Sequence, residues 1–181
     1  MKPIKYIALL RGINVGGHNV PMARLRELFA ELGFDNVRTY IQTGNVFFES
    51  GETDAAGLTD KIEHHLQMAL NYEVPTFVRT VEQLAETLAV APFDRIELTP
   101  ETRHLIVFIS GTLPADLKLP LFSPKGDYEL VGLTPGAVFV VVHLINGKFA
   151  SSNFLEKTYG VQTTVRFYHT ATKILAAAEA G

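Results

Sequence analysis

The sequence of 181 residues contains no cysteine. Disulfides, thiolate nucleophiles, cysteine-ligated zinc and iron–sulfur clusters are therefore excluded. A chain of this size without disulfides is typical of a reducing compartment. Residues 1–7 also lack the long apolar run and the small-residue cleavage site of a signal peptide. We therefore expect a cytoplasmic protein.

Long hydrophobic runs are also missing. The longest, from Ala137 to Val142, has the length of a strand, whereas a membrane-spanning helix needs about 18 apolar residues. We therefore expect no membrane contact. With 47% hydrophobic and 19% charged residues, the chain can bury a core as one large domain or as two small ones.

No segment of the chain is strongly basic. The net charge of −3 divides into +2 over residues 1–50, −7 over residues 51–102 and +2 over residues 103–181. A protein that binds duplex nucleic acid normally presents a strong basic face, because phosphate neutralisation provides the affinity. The charge pattern therefore disfavours a duplex partner, and it is compatible with a local cationic site for one small anion.

The known catalytic and metal-binding signatures are absent from the sequence. His64 and His65 are adjacent, so they point about 100° apart on a helix, and no His-x-x-x-His spacing occurs. The sequence also has no Gly-x-Ser-x-Gly motif. It predicts no metal site, and it identifies neither a catalytic residue nor a cofactor.

Hydrophobic periodicity predicts an α+β fold made of two similar halves. The first half contains, in order, a strand over residues 5–10, a helix from about Pro21 to Gly33, strands over residues 36–41 and 45–48, a helix over residues 54–70 and a strand over residues 74–79. This βαββαβ order is typical of a ferredoxin-like unit.

The second half repeats this order, although its residues barely match those of the first. Its elements are a strand over residues 104–109, a helical or irregular segment over 113–119, hairpin strands over 128–133 and 137–142, a short helix after Asn153 with a capping box at Glu156, a strand over 163–167 and a helix over 170–178. We predict two ferredoxin-like subdomains in tandem plus a C-terminal helix. The first subdomain covers residues 1–80, a connecting helix capped by Thr80 and Gln83 and an acidic linker cover 81–102, and the second subdomain covers 103–181.

The glycine-rich loop after the first strand is the most informative segment. Its Gly12 and Gly17 have the spacing of a phosphate-binding loop, but His18 and Asn19 stand where that motif needs lysine and a hydroxyl residue. Two interpretations remain open. The glycines either provide positive φ angles for a tight turn, or their backbone amides hold a small anion or polar ligand. The ligand interpretation uses Arg11, Gly12, Asn14, Gly16 and Gly17.

A second polar segment follows the next strand. Alternation along that strand places Arg38 and Tyr40 on one face, and Gln42 continues it. Together with Thr43 and Asn45, Gln42 brings amide and hydroxyl groups to a turn. These residues either extend the ligand site or serve only as turn residues.

A third candidate segment lies near the C-terminus. Arg166 precedes Tyr168, His169 and Thr170, a combination that suits stacking and charge contact with an aromatic ligand. Strand alternation and a helix cap at Thr170 explain the same residues without a ligand. Arg166 is therefore a candidate ligand residue with a structural alternative.

The residues from Ala8 to Gly17, the pair Met22-x-x-Leu25 and the residues from Thr39 to Val46 resemble domain-of-unknown-function family 1697, a bacterial family. The resemblance covers essentially the whole chain and implies a pair of ferredoxin-like subdomains, but it implies no activity. Family members typically carry lysine where this chain has His18 and serine where it has Thr43. Near the C-terminus they tend to Arg-Asn-Trp-Asn-Thr, of which this chain keeps Arg166 and Thr170.

Three functions fit these observations. The first is an uncharacterised bacterial cytosolic protein that binds a small anionic or nucleotide-like ligand at the glycine-rich loop. The second is a metal-independent transferase or hydrolase that uses the same site. The third is a protein-interaction or single-stranded nucleic-acid module. The aromatics that would read single strands, Phe47, Phe48, Phe77, Phe108 and Phe139, lie in apolar runs typical of a core.

Overall fold

The computed structural model describes residues 2–149 and 153–181. These residues form two compact units, unit 1 with residues up to 85 and residues 174–181, and unit 2 with residues 86–173. The described chain contains two antiparallel sheets and five α-helices, which confirms the α+β class. None of these helices is long and apolar enough to cross a membrane.

Unit 1 is built on a four-stranded sheet. Its elements are β1 (Ile4–Leu10), α1 (Met22–Glu31), β2 (Asp35–Thr39), β3 (Asn45–Ser50), α2 (Ala55–Leu70) and β4 (Thr76–Thr80). The strand order is β2-β3-β1-β4, so β1 lies in the middle. Leucine, isoleucine and phenylalanine side chains at helical spacing on α1 and α2 are fully buried in the core with Phe48. These elements agree with the periodicity of the sequence.

The chain then continues into α3 (Val81–Ala89) and a short 3-10 helix (Pro92–Arg95). The predicted capping box at the start of α3 is confirmed. The Thr80 N–H donates to Gln83 Oε1 (2.9 Å), and the Gln83 N–H donates to Thr80 Oγ1 (3.0 Å).

Unit 2 is built on a second sheet. Its elements are β5 (Thr102–Ile109), β6 (Leu121–Phe122), β7 (Tyr128–Thr134), β8 (Ala137–Ile145), β9 (Lys148–Phe149), α4 (Phe154–Tyr159), β10 (Thr163–Phe167) and the start of α5 (Tyr168–Glu179). The order is β10-β5-β8-β7-β6, with β9 paired to β8. Residues 113–119 form no helix. The five phenylalanines assigned to the core are buried, none more than 4% exposed.

In the second half, the predicted short helix after Asn153 is confirmed as α4, but its predicted side-chain cap is wrong, and so is the predicted start of the last helix. The Asn153 side chain forms no capping bond, and Glu156 accepts instead from the N–H and hydroxyl of Thr163 at 3.1 and 2.9 Å. Helix α5 begins at Tyr168 rather than at Thr170, directly after β10. At α4, hydrogen bonds from Thr163 of the following strand occupy the Glu156 carboxylate. At α5, the backbone passes directly from β10 into the helix.

In each unit, the strand of the sheet that comes last in the sequence is hydrogen-bonded to a glutamate of the helix that precedes it. In unit 1 the Thr76 N–H donates to the Glu63 carboxylate of α2 (2.7 Å). In unit 2 the Thr163 N–H donates to the Glu156 carboxylate of α4 (3.1 Å). Both bonds satisfy a backbone donor at the start of an edge strand.

A short sequence match accompanies these matched bonds. Residues 74–79 and 161–166 both read Val-x-Thr-x-Val-Arg. In each copy the arginine donates to the carbonyl of the residue before it, Arg79 at 2.7 Å and Arg166 at 2.8 Å. The two halves therefore share sequence at this one strand, although they barely match elsewhere.

Candidate functional site

The glycine-rich loop covers residues 11–19, between β1 and α1. Its positive φ angles lie at Gly12 (78°), Asn14 (58°), Gly16 (60°) and Gly17 (90°). Residues 13 and 15 have ordinary φ angles, so the backbone alternates in handedness up to Gly16. An alternating sign of φ is one feature of an anion-binding nest, in which successive N–H groups face one concave side. The positive φ angles that the turn interpretation predicts are confirmed, and the ligand interpretation stays a prediction.

The Asn14 side chain holds the loop in this shape. Its Oδ1 accepts from the Val20 N–H (2.7 Å), and its Nδ2 donates to the carbonyl of Gln42 (2.9 Å). The first bond closes the loop onto its own end. The second joins the loop to the turn between β2 and β3. The structure thus brings together two of the segments that the sequence nominated.

The turn over residues 40–45 is organised by Asn45. This side chain is fully buried, and its Nδ2 donates to the Tyr40 carbonyl (3.1 Å) and to Thr43 Oγ1 (3.0 Å). The Tyr40 N–H donates back to the Asn45 carbonyl (3.0 Å). The Gly44 carbonyl accepts from the Leu10 N–H (2.8 Å), so the turn is also bonded to the end of β1.

The expected alternation from Arg38 through Tyr40 to Gln42 is wrong. Strand β2 ends at Thr39, and Ile41 has a φ of 49°, which breaks the period of two before Gln42. Arg38 has a contact of its own, because its guanidinium lies 5.1 Å from the Phe47 ring and donates to carbonyls near the end of α5. Gln42 still reaches the loop through its backbone.

We call the exposed part of this region the loop–turn surface. It is formed by Arg11, Gly16, Gly17, Gln42 and Thr43, all of which are exposed. Gly12, Asn14 and Tyr40 are half-buried beside it, and Asn45 is buried beneath it. Residues 1–26 and 36–48 contain no aspartate or glutamate, although the whole chain is acidic. The segments that form this surface are therefore locally cationic.

A half-buried carboxylate stands near the base of the loop. Glu63 of α2 accepts from the Thr76 N–H (2.7 Å), and Thr76 pairs with Leu10 at the end of β1. Burial raises the pKa of Glu63, with added repulsion from Asp60 and Glu73, while the bond from Thr76 acts in the opposite direction. One oxygen of this carboxylate thus serves the backbone of β4.

The end of the loop nearer to α1 packs on an aromatic ring that the sequence does not identify as a candidate site residue. The His18 ring lies over Tyr72, with 3.9 Å between ring centroids and a tilt of 31°. Tyr72 follows Asn71, the C-cap of α2, and burial raises the pKa of its hydroxyl. No spacing in the sequence relates His18 to Tyr72, because the contact exists only once α2 packs on the sheet.

Arg166 lies on β10 in unit 2. It is 8% exposed, and its Nη1 donates to Thr164 Oγ1 (3.0 Å) and to the Val165 carbonyl (2.8 Å). Burial lowers the pKa of Arg166 to about 10. A ligand-binding role for Arg166 stays a prediction.

The aromatic residues next to Arg166 divide between the core and the surface of unit 2. Phe167 is exposed and stacks on His169 (5.6 Å), whereas half-buried Tyr168 packs edge-on against Phe93 (4.9 Å). Burial raises the pKa of Tyr168, and the charge of Asp94 raises it further. Among the described residues, no group of three or more histidine, aspartate or glutamate side chains is placed to hold a metal ion.

His104 gives unit 2 a testable acid sensitivity. Its ring stacks on Phe93 (4.3 Å), its Nε2 is buried without a hydrogen-bond partner in the described chain, and burial lowers its pKa below 6.5. The unfolded chain therefore binds this proton more readily than the folded chain. We expect the contribution of His104 to stability to be complete above about pH 6.5 and to fall as the pH drops below it.

The measurement is the melting temperature between pH 7.5 and pH 5 for the wild type and for His104→Phe, which keeps a ring against Phe93. The variant should lose less of its melting temperature on acidification than the wild type. The matched control is His64→Gln, because His64 is exposed on α2. Equal acid sensitivity of the wild type and His104→Phe would contradict this prediction.

Comparison with known proteins identifies a family and a fold. The family model described as "Protein of unknown function (DUF1697)" matches residues 4–139. The solved structure of the conserved bacterial protein SP0830 from Streptococcus pneumoniae is similar, with a TM-score of 0.70 and 24% identity over 98% of this chain and 99% of that one. At this identity the likeness shows the fold alone. No curated protein matches the chain.

Proposed function

The chain belongs to the DUF1697 family of proteins of unknown function, and from that premise we propose that it binds a small anionic or nucleotide-like ligand at the loop–turn surface. The observation that carries the proposal is the alternating sign of φ over residues 12–16 beside the exposed Arg11. Backbone N–H groups on one concave side and one guanidinium are the donors that a phosphate or carboxylate needs.

The candidate site residues have two different roles. The residues that contact the ligand are Arg11, Gly12, Gly16, Gly17, Gln42 and Thr43. The residues that position them are Asn14, which joins the loop to the turn, and Tyr40 and Asn45, whose hydrogen bond holds the turn itself in shape. The absence of carboxylates from residues 1–26 and 36–48 supports the proposal, since no like charge in these segments opposes an anion.

The test is a titration of the ¹⁵N-labelled full chain with inorganic phosphate, pyrophosphate and AMP, followed at the Gly16 and Gly17 amides. We expect these two amide signals to move downfield with at least one of the three ligands, because an anion polarises the N–H groups that it accepts from. In Arg11→Gln, the affinity for that ligand should fall about tenfold, since one charged hydrogen bond contributes at least this much.

The matched control is Lys61→Gln, which also removes one exposed cation of unit 1. Lys61 forms an ion pair with Glu52 (2.8 Å), which follows the last residue of β3. That last residue, Ser50, pairs with Ile4, the first residue of β1. Lys61 therefore lies at the end of the sheet opposite the loop, and its replacement should leave the affinity unchanged. If the two glycine amides move with none of the ligands, or if both variants lose affinity equally, the proposal is wrong.

We also propose that the chain arose by duplication of a ferredoxin-like unit, with copies over residues 1–80 and 103–181 joined by residues 81–102. The strand orders β2-β3-β1-β4 and β10-β5-β8-β7 support it, because, with the two-residue strands β6 and β9 left out, each puts the first strand of its half between the third and the last. The matched Thr–Glu bonds and the repeated Val-x-Thr-x-Val-Arg strand support it further.

A further inference from the structure

Two large apolar side chains are exposed where the loop meets the turn. Val15 is 58% exposed and Ile41 is 45% exposed. Each adjoins one partner of the hydrogen bond between Asn14 Nδ2 and the Gln42 carbonyl (2.9 Å). The two apolar residues therefore border the same junction as the loop–turn surface.

Ile41 is also an unfavourable residue for its backbone conformation. Its φ is 49°, and a β-branched side chain in this region is strained, whereas glycine or asparagine is not. Burial does not compensate, because nearly half of the side chain is exposed. Isoleucine at this position therefore has a conformational cost with little packing gain, and such outliers cluster at ligand-binding sites.

We propose that the ligand of the loop–turn surface carries an apolar group next to its anionic group, and that Val15 and Ile41 contact this apolar group. This inference rests on the proposed function, since the anion sets the position of the rest of the ligand. It narrows the ligand class to aryl or alkyl phosphates and carboxylates. Contact between the Ile41 side chain and the ligand then explains why isoleucine occupies a position where its backbone conformation is strained.

The experiment compares inorganic phosphate, phenyl phosphate and glycerol phosphate by calorimetric titration of the full chain. The two esters have the same charged group and differ in the polarity of the substituent. We expect phenyl phosphate to bind about tenfold more tightly than glycerol phosphate, which corresponds to burial of several tens of Å² of apolar surface. In Val15→Ser and in Ile41→Asn this preference should fall to about threefold, because one of the two apolar contacts remains, and in the control Leu98→Ser, where the replaced residue is 61% exposed, it should persist.

A second measurement separates ligand contact from packing. Ile41→Asn relieves the backbone strain, so we expect its melting temperature without ligand to rise by about 3 °C. A fall of several degrees would show that Ile41 is held by packing, and it would overturn the inference.

The titrations distinguish failure of this inference from failure of the proposed function. If all three compounds fail to bind, this inference is wrong, and the proposed function is also wrong if the glycine amides move with neither pyrophosphate nor AMP. If phosphate binds and the two esters bind equally, the site is an anion site without an apolar contact, and only this inference is wrong. An unchanged preference for phenyl phosphate in both Val15→Ser and Ile41→Asn has the same meaning.

Discussion

Gly44→Ala should destabilise the protein by about 3 kcal/mol. Gly44 has a φ of 78°, which costs an alanine roughly 1–2 kcal/mol. A Cβ at this position would also meet Leu10 Cβ at 3.0 Å and Ile13 Cβ at 3.1 Å, and neither atom can move without shifting the backbone. Overpacking of this kind typically costs about 1–3 kcal/mol more. Urea denaturation monitored by circular dichroism gives the free energy of unfolding directly.

The matched control is Gly16→Ala, which has a similar φ of 60° but open space around the added Cβ. It carries only the conformational penalty, so we expect a loss of about 1 kcal/mol. The difference between the two variants measures how tightly the turn packs on the glycine-rich loop. Equal losses would mean that this packing contributes nothing to stability.

Asn45→Ala should lower the free energy of unfolding by about 2–3 kcal/mol. The Asn45 amide is fully buried and donates to the Tyr40 carbonyl and to Thr43 Oγ1. Alanine removes these bonds and leaves the carbonyl of Tyr40 without this side-chain donor inside the turn. The same denaturation measurement tests the expectation, and a slope equal to that of the wild type would show that the variant changes stability rather than the surface exposed on unfolding.

Asn19→Ala is the control for Asn45, because Asn19 is an exposed asparagine of the glycine-rich loop. We expect it to change stability by less than about 0.5 kcal/mol. If Asn45→Ala instead leaves stability intact and abolishes the movement of the glycine amides with ligand, Asn45 contacts the ligand itself. That result would restore the role that its position in the sequence suggests.

Local signals in the sequence were sufficient for most of the secondary structure. Helix α2 follows the spacing of Leu58, Ile62 and Leu66, and all three are fully buried. The capping box at Thr80 formed as predicted, because both partners lie within one turn of the same helix. The loop at residues 12–17 could adopt positive φ angles at little cost, because it is rich in glycine.

Local sequence patterns gave wrong predictions where a polar side chain forms its hydrogen bonds with another element of the fold, or where one residue changes the backbone conformation. Glu156 has the position of a capping-box residue, but its carboxylate accepts hydrogen bonds from the N–H and the hydroxyl of Thr163, at the start of the edge strand β10. Tyr40 and Gln42 were assigned to one face by alternation, and the positive φ of Ile41 breaks that period. The short Val-x-Thr-x-Val-Arg repeat gained meaning only when both copies proved to form the same bonds.

The sequence by itself therefore determined the α+β class, most of the helices and strands, and the exclusion of thiol chemistry, and it predicted the segments of the candidate site. Periodicity, glycine content and charge are properties of neighbouring residues, so they can be read without coordinates. Only the tertiary structure decided which polar groups of those segments face solvent. It showed that Asn14 joins the loop to the turn and that Asn45 bonds within the turn, and it left Arg11, Gln42 and Thr43 exposed. A buried amide must be satisfied by whatever backbone folding brings within 3 Å or so, and that partner is set by packing rather than by sequence distance.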